Sequence, residues 1–143
     1  MFSASPLKRG NSLSHLLVSI VDDDESVRLS IASLVRSLGV DARSFPSASS
    51  FLCSDAAALS ACIVSDIDMP LLNGLDMQSV LRERGNSTPV IFVTATANDS
   101  QRSTAMSNGA ICFLEKPVDA HAIEEALALV FSPRINGGKK LQP

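Results

Sequence analysis

A chain of 143 residues is long enough for one domain with a single sizeable core. Its 45% apolar and 19% charged composition excludes a disordered chain, and its net charge of −3 with no basic stripe argues against a nucleic-acid surface. The longest apolar runs fall well short of the roughly 20 residues that span a membrane.

Residues 1–14, ending in "GNSLS", carry a basic pair at Lys8 and Arg9 and read as a flexible extension. No signal-peptide core follows, because "LLVSIV" (16–21) stops directly at acid. That run predicts the first strand, as "ACIVSDI" (61–67) and "PVIFVTA" (89–95) predict two more. Nearly continuous apolar runs of this length suit parallel strands covered on both faces. "VDARSF" (40–45) is more polar and "ICFLE" (111–115) is short, so both are expected at sheet edges.

Helical patterns alternate with these strands. Val27, Ile31, Leu34, Val35 and Leu38 share one helix face, and Gly39 follows as a stop. Segments 47–58 and 74–84 predict the second and third helices, the latter ended by Gly85. "NDSQRSTAMSN" (98–108) has little to bury beyond Ala105 and Met106, which predicts a fourth helix of low local stability. Asp119 is placed to cap a fifth, whose buried stripe is Ile123, Leu127, Val130 and Phe131. The remainder, 132–143, reads as a flexible tail.

Five strands and five helices in strict alternation predict an α/β fold, an open parallel sheet wound on both faces. Ligands of such sheets bind beyond the carboxyl ends of the strands. At those ends stand Asp22 and Asp23, then Asp66 with Asp68, then Thr94, then Glu115 and Lys116. "VDDDE" crowds four acids together, although two carboxylates about 4 Å apart repel by roughly 4 kcal/mol at an effective dielectric of about 20. A bound cation would relieve that repulsion. Mg²⁺ takes carboxylate oxygens together with a phosphate, an Asp carboxylate can form an aspartyl-phosphate, and Lys and Thr can hold the phosphoryl oxygens. The three cysteines, Cys53, Cys62 and Cys112, form no CxxC pair and no metal spacing with His15 or His121. They read as reduced residues in a cytoplasmic protein.

Over roughly residues 15–131 the motifs "IVDDDESVR", "IVSDIDMPLLNG", "FVTA" and "FLEKP" resemble, in order and spacing, a two-component response-regulator receiver domain of the CheY-like superfamily. The wording is most similar to the FixJ-like group. The resemblance implies a flavodoxin-like (βα)5 fold with strand order 2-1-3-4-5. It implies that Asp66 is the phosphoacceptor and that Mg²⁺ is held by Asp23 directly, Asp22 through water, Asp66, and the Asp68 backbone carbonyl. It further implies that Lys116 binds phosphate ahead of a cis bond to Pro117, that Thr94 is the switch hydroxyl and that Phe113 is the aromatic switch. Asp68 and Thr96 flank the expected route of an attacking water, and Val118 stands where related chains often carry Phe.

The implied donor is a sensor histidine kinase or histidine phosphotransfer protein. The implied output is a protein contact, with a phosphorylation-dependent dimer through the fourth helix, fifth strand and fifth helix. Self-phosphorylation and autodephosphorylation would be its only chemistry, so it is not expected to be an enzyme. No helix-turn-helix follows the last helix, and the start at Met1 leans toward a stand-alone receiver rather than a piece of a longer DNA-binding regulator. Two alternatives stand beside this reading. "SDIDMP" contains the DxD of haloacid-dehalogenase-type phosphatases, although there the DxD precedes the other acids and here "DDD" precedes "DID". The other alternative is a degenerate receiver, a pure interaction module.

Overall fold

The computed structural model describes residues 16–131. The sequence expectations for 1–14 and for 132–143 lie outside the described residues. Along the chain run β1 (Leu17–Val21), α1 (Glu25–Ser37), β2 (Asp41–Phe45), α2 (Ala48–Leu52) and α3 (Ala56–Leu59). They are followed by β3 (Cys62–Ser65), α4 (Gly74–Glu83), β4 (Val90–Thr94), α5 (Asp99–Ser107), β5 (Ala110–Glu115) and α6 (Ala120–Phe131). The five strands form one parallel sheet in the order β2-β1-β3-β4-β5, so the two strands read as edges are the edges.

Side-chain alternation divides the core into two layers. Val21, Ile63, Val90 and Phe92 point to the face covered by α2, α4 and α5, where they meet Phe51, Met77, Leu81 and Ala105. Val18, Ile20, Val64, Ile91 and Val93 point to the other face, against Ile31 and Val35 of α1 and Ile123 and Leu127 of α6. Burial on both faces explains why the central strands are apolar throughout.

One irregularity decides what β5 presents. Val90 pairs with Ala110 but Ile91 pairs with Cys112, so Ile111 is an inserted residue. A bulge of one residue inverts the facing of everything after it. It brings Phe113 into register with Phe92, on the α5 side of the sheet.

The helix expected over 47–58 is two short helices, α2 and α3, giving six helices rather than five among the described residues. Ser47 caps α2 by accepting from the Ser50 amide at 3.1 Å. Ser54 then interrupts it: its Oγ donates to the Phe51 carbonyl at 2.8 Å and accepts from the Ala56 amide at 3.1 Å. A side chain that supplies the backbone with local partners competes with helix continuation. The other boundaries agree closely with the sequence pattern. Gly39 stops α1 with φ +89, and Asp119 accepts from the Ala122 amide at 3.2 Å at the start of α6.

Candidate functional site

Three loops converge at the carboxyl edge of the sheet. After β1, Asp22 is held by its backbone on both sides: its amide donates to the Phe45 carbonyl at 3.1 Å, and its carbonyl accepts from Arg28 Nη1 at 2.8 Å. After β3, the Asp66 amide donates to the Val21 carbonyl at 3.0 Å. The sheet ladder thus extends one step past each strand, which fixes the two acids side by side. Asp22 and Asp66 are buried, at 1% and 6% exposure, while Asp23 is exposed. Carboxylate oxygens of Asp22, Asp23 and Asp66 all lie within 4.8 Å of one another.

Lys116, after β5, reaches into this cluster. Its Nζ is 3.0 Å from Oδ2 of Asp22 and 3.0 Å from Oδ2 of Asp66. The remaining oxygens take main-chain donors. Asp22 Oδ1 accepts from the Asp24 amide at 2.9 Å, and Asp66 Oδ1 accepts from the Ile67 amide at 2.7 Å and the Asp68 amide at 3.3 Å. Burial pushes the Asp22 carboxyl above its ordinary range, and the neighbouring Asp66 charge adds to that push. Burial works against the charge on Lys116, yet its hydrogen bonds to Asp22 and Asp66 outweigh it and hold the ammonium above its ordinary range. The peptide bond between Lys116 and Pro117 is cis.

Thr94 ends β4 almost fully buried, and its hydroxyl donates to the Thr96 carbonyl at 3.2 Å. Asp68 and Thr96 are exposed at the mouth. Phe113 is half-buried; its ring stacks on Phe92 at 5.5 Å between centroids and 26° between planes. The bulge in β5 accounts for this pairing. The site residues read from the sequence therefore gather at one sheet edge, with Phe113 standing behind Phe92.

The donor set fits a hard divalent cation: three carboxylates in mutual reach, with neither thiolate nor imidazole among them. An arrangement of buried carboxylates, an ammonium and a hydroxyl can neutralise and orient a phosphoryl group.

Several participants had escaped the sequence reading. Arg28 stands inside the first motif, where nothing in its spacing announces a bond to the Asp22 carbonyl. Gly74 closes the second motif. Its amide donates to the Ile67 carbonyl at 2.8 Å, and a Cβ there would overlap the Asp66 carbonyl oxygen. Arg102, on α5, lies over Phe113 with its guanidinium carbon 5.1 Å from the ring centroid.

The family model for the response regulator receiver domain matches residues 18–128. The chain belongs to the response regulator receiver domain family. Among curated relatives, the transcriptional regulatory protein TdiR of Thauera aromatica is 38% identical over 126 residues, covering 85% of this receiver and 54% of TdiR. The transcriptional regulatory protein FixJ of Azorhizobium caulinodans is 38% identical over 112 residues, covering 78% of this receiver and 53% of FixJ. This receiver spans about half the length of the curated relatives it matches. Among solved structures, the response regulator StyR superposes with a TM-score of 0.73 at 34% identity, covering 90% of this receiver and 67% of that chain. The chemotaxis protein CheY4 of Vibrio cholerae has a TM-score of 0.73 at 22% identity, covering 81% of this receiver and 98% of that chain, which shows the shared fold. The protein is thus a receiver of two-component signalling. Among the described residues no helix is long and apolar enough to cross a membrane.

Proposed function

We propose that this receiver accepts a phosphoryl group on Asp66 from a histidine kinase or histidine phosphotransfer protein. A carboxylate oxygen of Asp66 would attack phosphorus; the new P–O bond forms as the P–N bond of phosphohistidine breaks, and its electron pair returns to the imidazole. The observation that carries this reading is the contact of Lys116 Nζ with both Asp22 and Asp66 at 3.0 Å. It sets a cation where the charge on the transferred group needs neutralising.

Asp22, Asp23 and Asp66, with the Asp68 backbone carbonyl, would hold Mg²⁺, which supplies further neutralisation of the phosphoryl oxygens. Lys116 would move from pairing carboxylates to pairing a phosphoryl oxygen. Thr94 would exchange its bond to the Thr96 carbonyl for one to the same group, leaving room for Phe113 to turn. A ligand biases such a two-state element only through differential contacts, and the Thr94 and Lys116 bonds are those contacts. The face that then changes is α5, β5 and α6, the fourth-helix side expected from the sequence, and it would support a dimer or a downstream protein contact. Exposed Met106 and Leu129 on that face favour such use. Beyond acquiring and losing its own phosphoryl group, the protein would turn over no substrate.

The test is incubation with acetyl phosphate and Mg²⁺, followed by intact-mass measurement. One phosphoryl adduct is expected, absent in Asp66→Asn and absent under EDTA. An unmodified native protein, or an adduct that survives in Asp66→Asn, would overturn the proposal. Rapid turnover of a phosphate monoester would instead favour the phosphatase reading.

A further inference from the structure

α5 has few attachments. Ala105 is its buried residue, and the rest of the helix is polar or exposed. Its C-terminal end is tied to α4. Gln78 Nε2 donates to the carbonyls of Ala105 at 3.1 Å and Asn108 at 3.3 Å, and Arg82 Nε donates to the Asn108 carbonyl at 2.7 Å. These bonds satisfy last-turn carbonyls that a helix leaves open. The N-terminal half is different. Its capping box, Asn98 with Gln101, stabilises the helix itself and joins it to no neighbouring element.

Arg102 makes one contact between that half and the sheet. Its guanidinium lies over the Phe113 ring, whose stacking partner is the fully buried Phe92. Phe92 in turn abuts Gly74, its Cε1 only 3.0 Å from where a Gly74 Cβ would sit, and Gly74 is bonded to the Ile67 carbonyl beside Asp66. Packed contacts therefore run without a gap from the Asp66 backbone through Gly74, Phe92 and Phe113 to Arg102 on the surface of α5.

We propose that Arg102 is a positioning residue that latches Phe113, and with it the N-terminal half of α5, in the arrangement where Thr94 faces its own loop. The inference rests on the switch reading above only for where the signal goes. α5 then behaves as a lever, fixed at its C-terminus by Gln78 and Arg82 and releasable at the other end. Arginine suits the task because its planar, weakly hydrated cation stacks on an aromatic face while remaining exposed.

The test uses Arg102→Met, which keeps a long apolar side chain, and Arg102→Lys, which keeps the cation. Ring signals of isotope-labelled phenylalanines and amide exchange over residues 99–107 are recorded with no phosphoryl donor present. The methionine variant should move the Phe113 ring signals, leave those of Phe51 in place, and speed exchange in the first half of α5 about two- to fivefold, the scale of an exposed cation–π contact. The lysine variant should recover part of both effects. Unchanged ring signals and exchange in Arg102→Met, or equal changes in the two variants, would overturn the proposal. Neither readout needs an adduct on Asp66, so a receiver that fails to take phosphate still answers the question about Arg102.

Discussion

Lys116 Nζ lies 3.0 Å from Oδ2 of Asp66, although fifty residues separate them in the chain. The same nitrogen holds Asp22 at 3.0 Å, so one ammonium joins the ends of β1, β3 and β5. A carboxylate as buried as that of Asp22 is costly without such a partner.

Removing the ammonium should therefore be felt in stability, and in a pH-dependent way. The Asp22 carboxyl is raised in the fold, so the native state binds its proton more tightly than the unfolded chain does. Stability consequently falls as pH rises from the ordinary carboxylate range through the raised value. The Lys116 ammonium is raised as well, so its stabilising contribution is complete below the ordinary lysine range and fades only at strongly alkaline pH. Lys116→Met should cost about 1–3 kcal/mol at pH 8, the scale of leaving a buried acceptor without its donor. At pH 5, where a carboxyl raised above its ordinary range is protonated to a greater extent than at pH 8, the cost should be smaller. Urea unfolding of both proteins without Mg²⁺ at the two pH values checks this, and an equal loss at both would refute it.

Divalent cation should restore what carboxylate repulsion removes. A ligand that binds only the native state at ten times its dissociation constant stabilises by about 1.4 kcal/mol. Mg²⁺ should raise the unfolding midpoint of the wild type, more at pH 8 than at pH 5, because the ligands must be deprotonated. Asp23→Asn should remove most of this response while leaving the apo protein folded, since Asp23 is exposed. Asp68→Asn should retain it, because the proposed ligand there is a backbone carbonyl. A response lost equally in the two variants would contradict that ligand set.

The sheet, its two edge strands and the gathering of acids were legible because each has a local sequence cause, whereas the full strand order was implied by the family resemblance. Doubly buried strands leave continuous apolar runs, and carboxyl-end positions follow from the runs' last residues. What escaped depends on contacts across the fold. The bulge at Ile111 inverts the facing of Phe113, and no apolar pattern in a six-residue edge strand marks where an extra residue is inserted. Ser54 splits one expected helix into two through side-chain bonds that a periodicity of apolar residues does not register. Arg28, Gln78, Arg82 and Arg102 looked like ordinary solvated or helix-forming residues, because what each meets is fixed only when distant segments pack.

Gly74 supplies a test of how tightly α4 is seated against the phosphoacceptor loop. An alanine Cβ would overlap the Asp66 carbonyl oxygen and come within 3.0 Å of both Ile67 Cα and Phe92 Cε1. Two of these three neighbours are backbone and cannot turn aside. Alanine in place of glycine ordinarily favours a helix by roughly 0.5–1 kcal/mol, but overpacking costs typically about 1–3 kcal/mol. The net effect should be destabilising, with the Asp66 backbone displaced. Gly74→Ala should lower the unfolding midpoint and slow adduct formation from acetyl phosphate. A variant as stable and as quickly modified as the wild type would show that the loop can move aside freely.

The cysteines report which strands open. Cys53 is exposed, Cys112 is half-buried at the sheet edge with its thiol pushed up by burial, and Cys62 is buried in β3 with its thiol pushed up to about 12. At pH 8 very little of Cys62 would be thiolate, the reactive form, even if a reagent could reach it. β3 is flanked by β1 and β4, so exposing Cys62 requires the whole sheet to come apart, whereas β5 has one strand neighbour. Iodoacetamide should therefore modify Cys53 at once, Cys112 slowly, and Cys62 only at the rate set by global unfolding. In Cys53→Ser, added urea below the unfolding transition should accelerate modification of Cys62 more steeply than that of Cys112, because global opening exposes more surface than local opening. Parallel acceleration of the two would mean that β5 does not open separately from the sheet.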